Sequence, residues 1–184
     1  MTTQQCPGAR TAPNLLNREF SASLPNQKWV SDITYIDTAE GWLYLASILD
    51  LHSRRVVGWA MAEQMDIDLV ENAWQMALLT SQPSAGLLHH SDRGSQYTSE
   101  AYQNHLDAFE CKVSMSRTGN CYDNAVMESF FATLKVECAS TQFESRDEAR
   151  TAVFEFIEGW YNRQRLHSSL DYLSPVEFEL SSGH

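Results

Sequence analysis

The stretch "KWVSDITYIDTAEGWLYLASILDLHSRRVVGWAM" (residues 28–61) decides how the rest of the chain is read. Residues 28–36 alternate and are rich in β-branched and aromatic side chains, the signature of a strand. "TAEG" (38–41) supplies turn residues, and "WLYLASILDL" (42–51) is a nearly continuous apolar run, consistent with a central strand. "HSR" (52–54) turns the chain again, and "RVVGWAM" (55–61) makes a third strand. Connections this short join antiparallel neighbours, so the pattern predicts a three-stranded meander. One residue breaks the pattern. Asp32 sits in the middle of the first strand, with Val30 and Thr34 on its own face. A carboxylate there is disfavoured by strand propensity and costly to bury without a partner.

The periodicity then changes. Leu69, Val70, Ala73, Trp74, Ala77 and Leu78 recur at helical spacing across 67–80. "GLLHHS" (86–91) is a fourth strand, reached through that helix and therefore expected parallel to the first. It ends on Asp92, followed by Arg93 and Gly94; taken alone, such an aspartate caps a turn. Residues 98–108 read as a helix, "CKVSMS" (111–116) as a short fifth strand and "RTGN" (117–120) as a loop. Asp123 is placed to N-cap a helix running to about Cys138. "SRDE" (145–148) opens an amphipathic helix through Tyr161, and "SPVE" (174–177) repeats the capping signal. Residues 1–26, rich in Pro, Asn, Gln and Ser, read as a linker or arm ahead of one α/β domain over 27–181.

No apolar run is long enough to span a bilayer, and the N-terminus lacks a signal-peptide layout. Four cysteines without C-x-x-C or zinc spacing indicate reduced thiols in a cytoplasmic protein. Net charge is −11, with the acidity concentrated in residues 61–110, where Arg93 alone faces eight acids. Phosphate neutralisation alone therefore cannot hold DNA tightly to this chain.

In the helix from 123, Met127, Phe130, Phe131, Leu134 and Cys138 form one apolar arc. Glu128 falls just beyond its edge, with Ala132 and Lys135 on the same side. In isolation this is an ordinary charged stripe. With Asp32 mid-strand and Asp92 at a strand end, Glu128 would complete a three-carboxylate site at one sheet edge, where α/β folds gather their ligands. Oxygen-only donors of that charge suit Mg²⁺ or Mn²⁺ rather than zinc.

Thirty-five residues separate Asp92 from Glu128. "WVSDITYI", "LDLHSRRVVGWAM", "HSDRGSQYTS", "SRTGNCYDNAVMESFFATLK" and "YNRQRLHSSLDYLSPVEFE" together resemble, over roughly residues 13–180, the integrase-core catalytic domain of bacterial insertion-sequence transposases, the group sharing its Asp-Asp-Glu arrangement with retroviral integrases. The resemblance implies an α/β, RNase H-like fold: a five-stranded mixed sheet, three antiparallel strands then two parallel, flanked by helices. It implies that Asp32, Asp92 and Glu128 bind two Mg²⁺ or Mn²⁺ ions, and that Lys135 contacts DNA at the transposon end. The implied reaction is metal-dependent DNA cleavage and 3′-OH strand transfer by a homo-oligomer on DNA, in a bacterial, nucleoid-associated setting. Such transposases carry an N-terminal helix-turn-helix region, for which the two dozen residues ahead of the first strand leave no room, so a separated catalytic domain or a truncated copy is expected.

Neighbouring residues carry alternative readings. His90 shares a strand face with Asp92 and either hydrogen-bonds a metal-binding carboxylate or is a plain half-buried histidine. Asp50 either approaches the site or caps a turn through Ser53. Ser95 and Gln96 either shape the site or start a helix. Arg117, Asn120, Tyr122 and Asn124 precede Glu128 and are candidate DNA contacts, as are Arg163, Arg165 and His167 beyond the long helix. Cys121 has no paired histidine and is no nucleophile. Two function classes remain: an active DNA transferase, and a catalytically idle, truncated transposase that serves as a binding or regulatory module.

Overall fold

The computed structural model describes residues 8–183. Five strands form one sheet in the order β3-β2-β1-β4-β5. The meander comprises β1 (Lys28–Ile36), β2 (Leu43–Asp50) and β3 (Val56–Ala62), with β1–β2 and β2–β3 antiparallel. Helix α1 (Ile67–Ser81) carries the chain back to β4 (Leu88–Ser91), which pairs parallel to β1, and β5 (Lys112–Met115) pairs parallel to β4. The strands therefore follow the expected mixed topology, three antiparallel and then two parallel.

Helices cover both faces because both faces are apolar. Leu69, Val70, Ala73, Trp74 and Ala77 of α1 pack with Trp29, Ala46 and Ile48 on one side. On the other, Met127, Phe130 and Leu134 of α4 (Ala125–Glu137) join Val30, Leu45 and Leu49. Gly58 permits the closest approach: a Cβ there would lie 2.3 Å from the Ala73 carbonyl oxygen. The helix expected over 98–108 starts at Glu100 as α3 (Glu100–Ala108), because the Ser99 hydroxyl caps it by accepting from Tyr102 N–H, and a separate short helix, α2 (Ser95–Thr98), precedes it.

The long helix from Arg146 is not α-helical throughout. Helix α5 (Arg146–Phe154) opens with the Ser145 cap on Glu148 N–H and continues as a π-helix over Glu155–Tyr161. The wider turn, marked by the Asn162 N–H to Ile157 carbonyl bond, keeps Phe156, Ile157 and Tyr161 together in the core. Helix α6 (Pro175–Ser181) starts with the expected capping box at Ser174 and Glu177.

Residues 8–26 contain no regular element, yet they are packed. Leu16 is buried, the backbone N–H groups of Leu15 and Leu16 both donate to Ser114 Oγ, and the Pro13 carbonyl accepts from Met115 N–H. Residues 13–16 thus lie along β5.

Candidate active site

Asp32 projects from β1 opposite Ser47 of β2 and accepts a hydrogen bond from Ile33 N–H at 2.8 Å. Burial, then the negative charge of Asp92, and to a smaller extent that of Glu128, push its carboxyl up to about 7. Asp92 directly follows β4 and accepts Gly94 N–H at 2.8 Å, so the turn-capping role exists alongside any other. Enclosure by the cavity walls raises its carboxyl too, against the Gly94 bond. A Cβ at position 94 would lie 3.0 Å from Asp92 Oδ1, so a larger residue there would push on the carboxylate. Glu128 is exposed in the first turn of α4. The three carboxylates line one open cavity of about 510 Å³, shared with Asn120 and Asn124.

The donor set is all oxygen. Asn124 is buried; its Nδ2 donates to the Ser31 carbonyl at 3.2 Å, while its Oδ1 has no hydrogen-bond partner. An orphaned amide oxygen beside three carboxylates fits a hard cation of the Mg²⁺ or Mn²⁺ type. Among the described residues no three of His, Cys, Asp and Glu form a ready-made metal cluster.

One wall of the cavity is held by an ion cluster that the sequence pattern does not announce. The Asp123 carboxylate accepts from Arg117 Nε, an Arg117 terminal nitrogen and Arg117 N–H, all within 2.9 Å, and from Arg18 Nε at 2.9 Å. The Arg117 guanidinium holds Asp123 well below the usual carboxylate range. Asp123 was expected to cap α4. Instead a 3-10 turn (Cys121–Asn124) precedes the helix, the cap position falls on Asn124, and the carboxylate is spent on two arginines. Arg18 lies in the packed N-terminal segment, which has no periodicity to mark it.

Several candidate residues lie elsewhere than expected. His90 bonds neither Asp92 nor any other carboxylate side chain; its ring nitrogens meet Ser114 Oγ at 2.8 Å and Ser116 Oγ at 3.1 Å. Burial lowers its pKa to about 4, so it stands as a neutral brace between β4 and β5. Gln96 is outside the carboxylate cavity and donates to the Met65 carbonyl. Asp50 caps the turn by accepting from His52 N–H, not through Ser53, and also takes Asn26 N–H. Tyr122 is exposed, with the Arg18 guanidinium 5.8 Å from its ring centroid. Lys135 donates to the Tyr35 carbonyl and stands 4.9 Å from the Tyr35 ring centroid. Arg163 is exposed and donates to the Glu158 carbonyl, whereas Arg165 turns into a second cavity beside α4.

Mixed strand order, helices on both faces and a carboxylate-lined cavity over the β1–β4 edge define a recognisable class. The chain superimposes on the HTLV-2 integrase catalytic core domain in complex with magnesium, with a TM-score of 0.63 at 15% identity over 85% of this chain and 98% of that one. It also matches a chain of the simian T-cell lymphotropic virus intasome, with a TM-score of 0.70 at 15% identity, covering 96% of this chain and 59% of that chain. These are retroviral integrase cores, and the fold is RNase H-like.

The chain belongs to the integrase core domain family: one family model matches residues 22–121 and a second, also an integrase core domain, residues 110–175. It is 51% identical over 178 residues to the insertion element IS600 uncharacterized 31 kDa protein of Shigella sonnei. Identity is 49% over 168 residues to the transposase for insertion sequence element IS904 of Lactococcus lactis, and 50% over 173 to transposase InsF for insertion sequence IS3A of Escherichia coli. These matches cover 96%, 91% and 94% of this chain but 65%, 66% and 60% of the relatives, so the chain spans under two-thirds of their length. No helix among the described residues is long and apolar enough to cross a membrane.

Proposed function

We propose that this chain is the catalytic core of a DNA transposase, with Asp32, Asp92 and Glu128 holding two Mg²⁺ or Mn²⁺ ions. The observation that carries this reading is the convergence of those carboxylates, from a strand, a strand end and a helix, on one cavity. Bound there, two divalent ions supply the charge that activates an attacking oxygen and stabilises a departing 3′ oxygen in an in-line displacement. Asp32, partly sheltered on rigid β1, and Asp92, pinned by Gly94 N–H, fix one side of the site; Glu128 is the exposed arm that completes it. The Asn124 amide oxygen offers a further ligand or a hold on an ordered water. Asn120 and Arg117, which line the cavity, and the exposed Tyr122 serve as DNA contacts, although Arg117 shares its charge with Asp123. Lys135 meets the DNA backbone from the same helix as Glu128, and the enzyme works as an oligomer on transposon ends and target.

The test is cleavage and joining on a pre-nicked transposon-end duplex with Mn²⁺ or Mg²⁺. Product that forms only with metal and disappears in Asp92→Asn and Glu128→Gln supports the reading. Metal-dependent product retained at wild-type level in both variants refutes it. DNA binding without product would instead favour a regulatory module.

A further inference from the structure

We propose that the cavity on the neighbouring face of α4, lined by Arg54, Arg165 and His167, is a phosphate site that holds the DNA backbone next to the carboxylates. This rests on the reading of the chain as a DNA-processing core, and it adds a subsite which that reading does not require.

The cavity has a volume of about 480 Å³. Arg54 enters it from the β2–β3 turn, where the backbone adopts the left-handed conformation at φ +62°. Arg165 and His167 come from the segment after the π-helix, and hydroxyls are supplied by Ser129, Thr133, Ser168 and Ser169. No carboxylate lines it. That is unusual for a chain of net charge −11, whose Arg10, Arg18, Arg55, Arg117 and Arg146 are all in ion pairs with Asp or Glu.

Arg165 has none among the described residues. The rings of Trp160 and Tyr161 lie 5.8 and 6.0 Å from its guanidinium carbon, and its buried Nε finds no acceptor. His167 Nε2 is likewise buried and unpartnered, with the ring edge-on to Tyr161. Burial together with Arg165 and Arg54 lowers the His167 pKa to about 4, which agrees with two guanidinium groups close to it. Arg54 donates to the Phe20 carbonyl and has no salt bridge among the described residues, although the Asp50 charge acts on it. A guanidinium whose buried N–H has no acceptor is costly, and a tetrahedral oxyanion relieves the cost. Guanidinium groups match its geometry in a bidentate fashion, and hydroxyls fill its remaining acceptors.

Position argues for a backbone phosphate. Ala125, Ser129 and Thr133 line this cavity from α4, while Asn124 and Glu128, one residue earlier on the same turns, line the other. The two faces differ by about 100° around one helix, so a strand crossing α4 meets both.

Duplex binding by fluorescence anisotropy, measured in metal-free buffer across a salt series, tests the proposal without relying on chemistry. Arg165→Gln should weaken binding about tenfold at ~0.1 M salt and flatten the log–log salt slope by about 1. Arg165→Lys should recover part of the affinity. Ser169→Glu, at an exposed position of the 3-10 turn Ser168–Leu170, places a carboxylate at the site and should weaken binding similarly, which covers the case of an unfolded Arg165→Gln. Inorganic phosphate should raise the melting temperature over chloride at matched ionic strength, and Arg165→Gln or Ser169→Glu should abolish the rise. Wild-type affinity and salt slope in folded variants would overturn the proposal, even if free phosphate still stabilises the protein. If these effects appear and the carboxylate variants still cleave, the subsite stands while the catalytic reading falls. If the carboxylate variants lose their chemistry and Arg165→Gln leaves binding unchanged, the catalytic reading stands while the subsite falls.

Discussion

Asp32 and Asp92 each stand two residues beyond Val30 and His90, the last pair of the parallel β1–β4 ladder. Parallel register thus carries two carboxylates to matching positions, and the cavity opens where the two strands part company. Like charges so placed repel, and the Asp92 charge adds to the larger effect of burial in raising Asp32. A divalent ion that binds only the folded form should offset that repulsion. At a concentration ~100-fold above its dissociation constant, the stabilisation is about 2.7 kcal/mol. Melting in Mn²⁺ or Mg²⁺ against EDTA should show an upward shift of several degrees, mostly lost in Asp92→Asn. An undiminished shift in that variant places the ion elsewhere.

Asp123 is wholly shielded, with 0% side-chain exposure, and is claimed by both Arg18 and Arg117. Asp123→Asn should cost about 2–3 kcal/mol at neutral pH, since two guanidinium groups lose a charged acceptor. The sign with pH follows from a folded-state pKa held below the unfolded value. The contribution is full above about pH 4 and is lost as the pH falls through the folded value. The gap between wild type and variant in urea titrations should therefore shrink at low pH. A gap that is constant from pH 7 to pH 2 would assign the loss to packing.

Lys135 is already engaged by the carbonyl and ring of Tyr35. Lys135→Ala should cost roughly 0.5–1 kcal/mol of stability from that contact. If the lysine also meets a phosphate, DNA affinity should drop and the salt slope should flatten by about 1, while the metal-induced melting shift survives. Unchanged DNA affinity and salt slope would leave Lys135 as a strap on the end of β1 and nothing more.

Gly58→Ala tests the packing of α1 on the sheet. The added methyl would sit 2.3 Å from the Ala73 carbonyl oxygen and 2.6 Å from Ala77 Cβ. Both obstacles are rigid, so α1 must shift, at a cost of about 2–3 kcal/mol. Wild-type stability in denaturant titrations would mean that the helix glides over β3 more freely than this packing allows.

Strand alternation over 28–36 and the short turns after it made the meander legible, and the helix before "GLLHHS" made β4 parallel. Of the three carboxylates only Asp32 breaks a pattern that has to be explained; Asp92 and Glu128 read singly as a turn cap and a charged stripe and gained meaning only in combination with it. What stayed hidden depends on contacts distant in sequence. Arg18 reaches Asp123 across 105 positions, and the Leu15 N–H reaches Ser114 across 99, so no local period reports either. Asp123 looked like a helix cap because it precedes a helix, yet a buried aspartate between two arginines has a stronger bond to make. His90 has the strand phase of Asp92, but the hydroxyls of β5 are nearer. The π-helical turn escaped because its apolar spacing also fits an α-helix.

The outward-facing backbone of β3 is occupied by side chains. Asn162 bonds both the N–H and the carbonyl of Val56, Met76 Sδ takes the Trp59 N–H, and Arg150 takes the Met61 carbonyl. At the opposite border, Pro13 and the segment around it lie against β5. Among the described residues both margins of the sheet are thus partly covered, which limits the free ladder on which another chain could add a strand, the usual route to cross-β aggregation. Variants that unfasten a margin should then be the aggregation-prone ones, with Asn162→Ala, which frees both backbone groups of Val56, first among them.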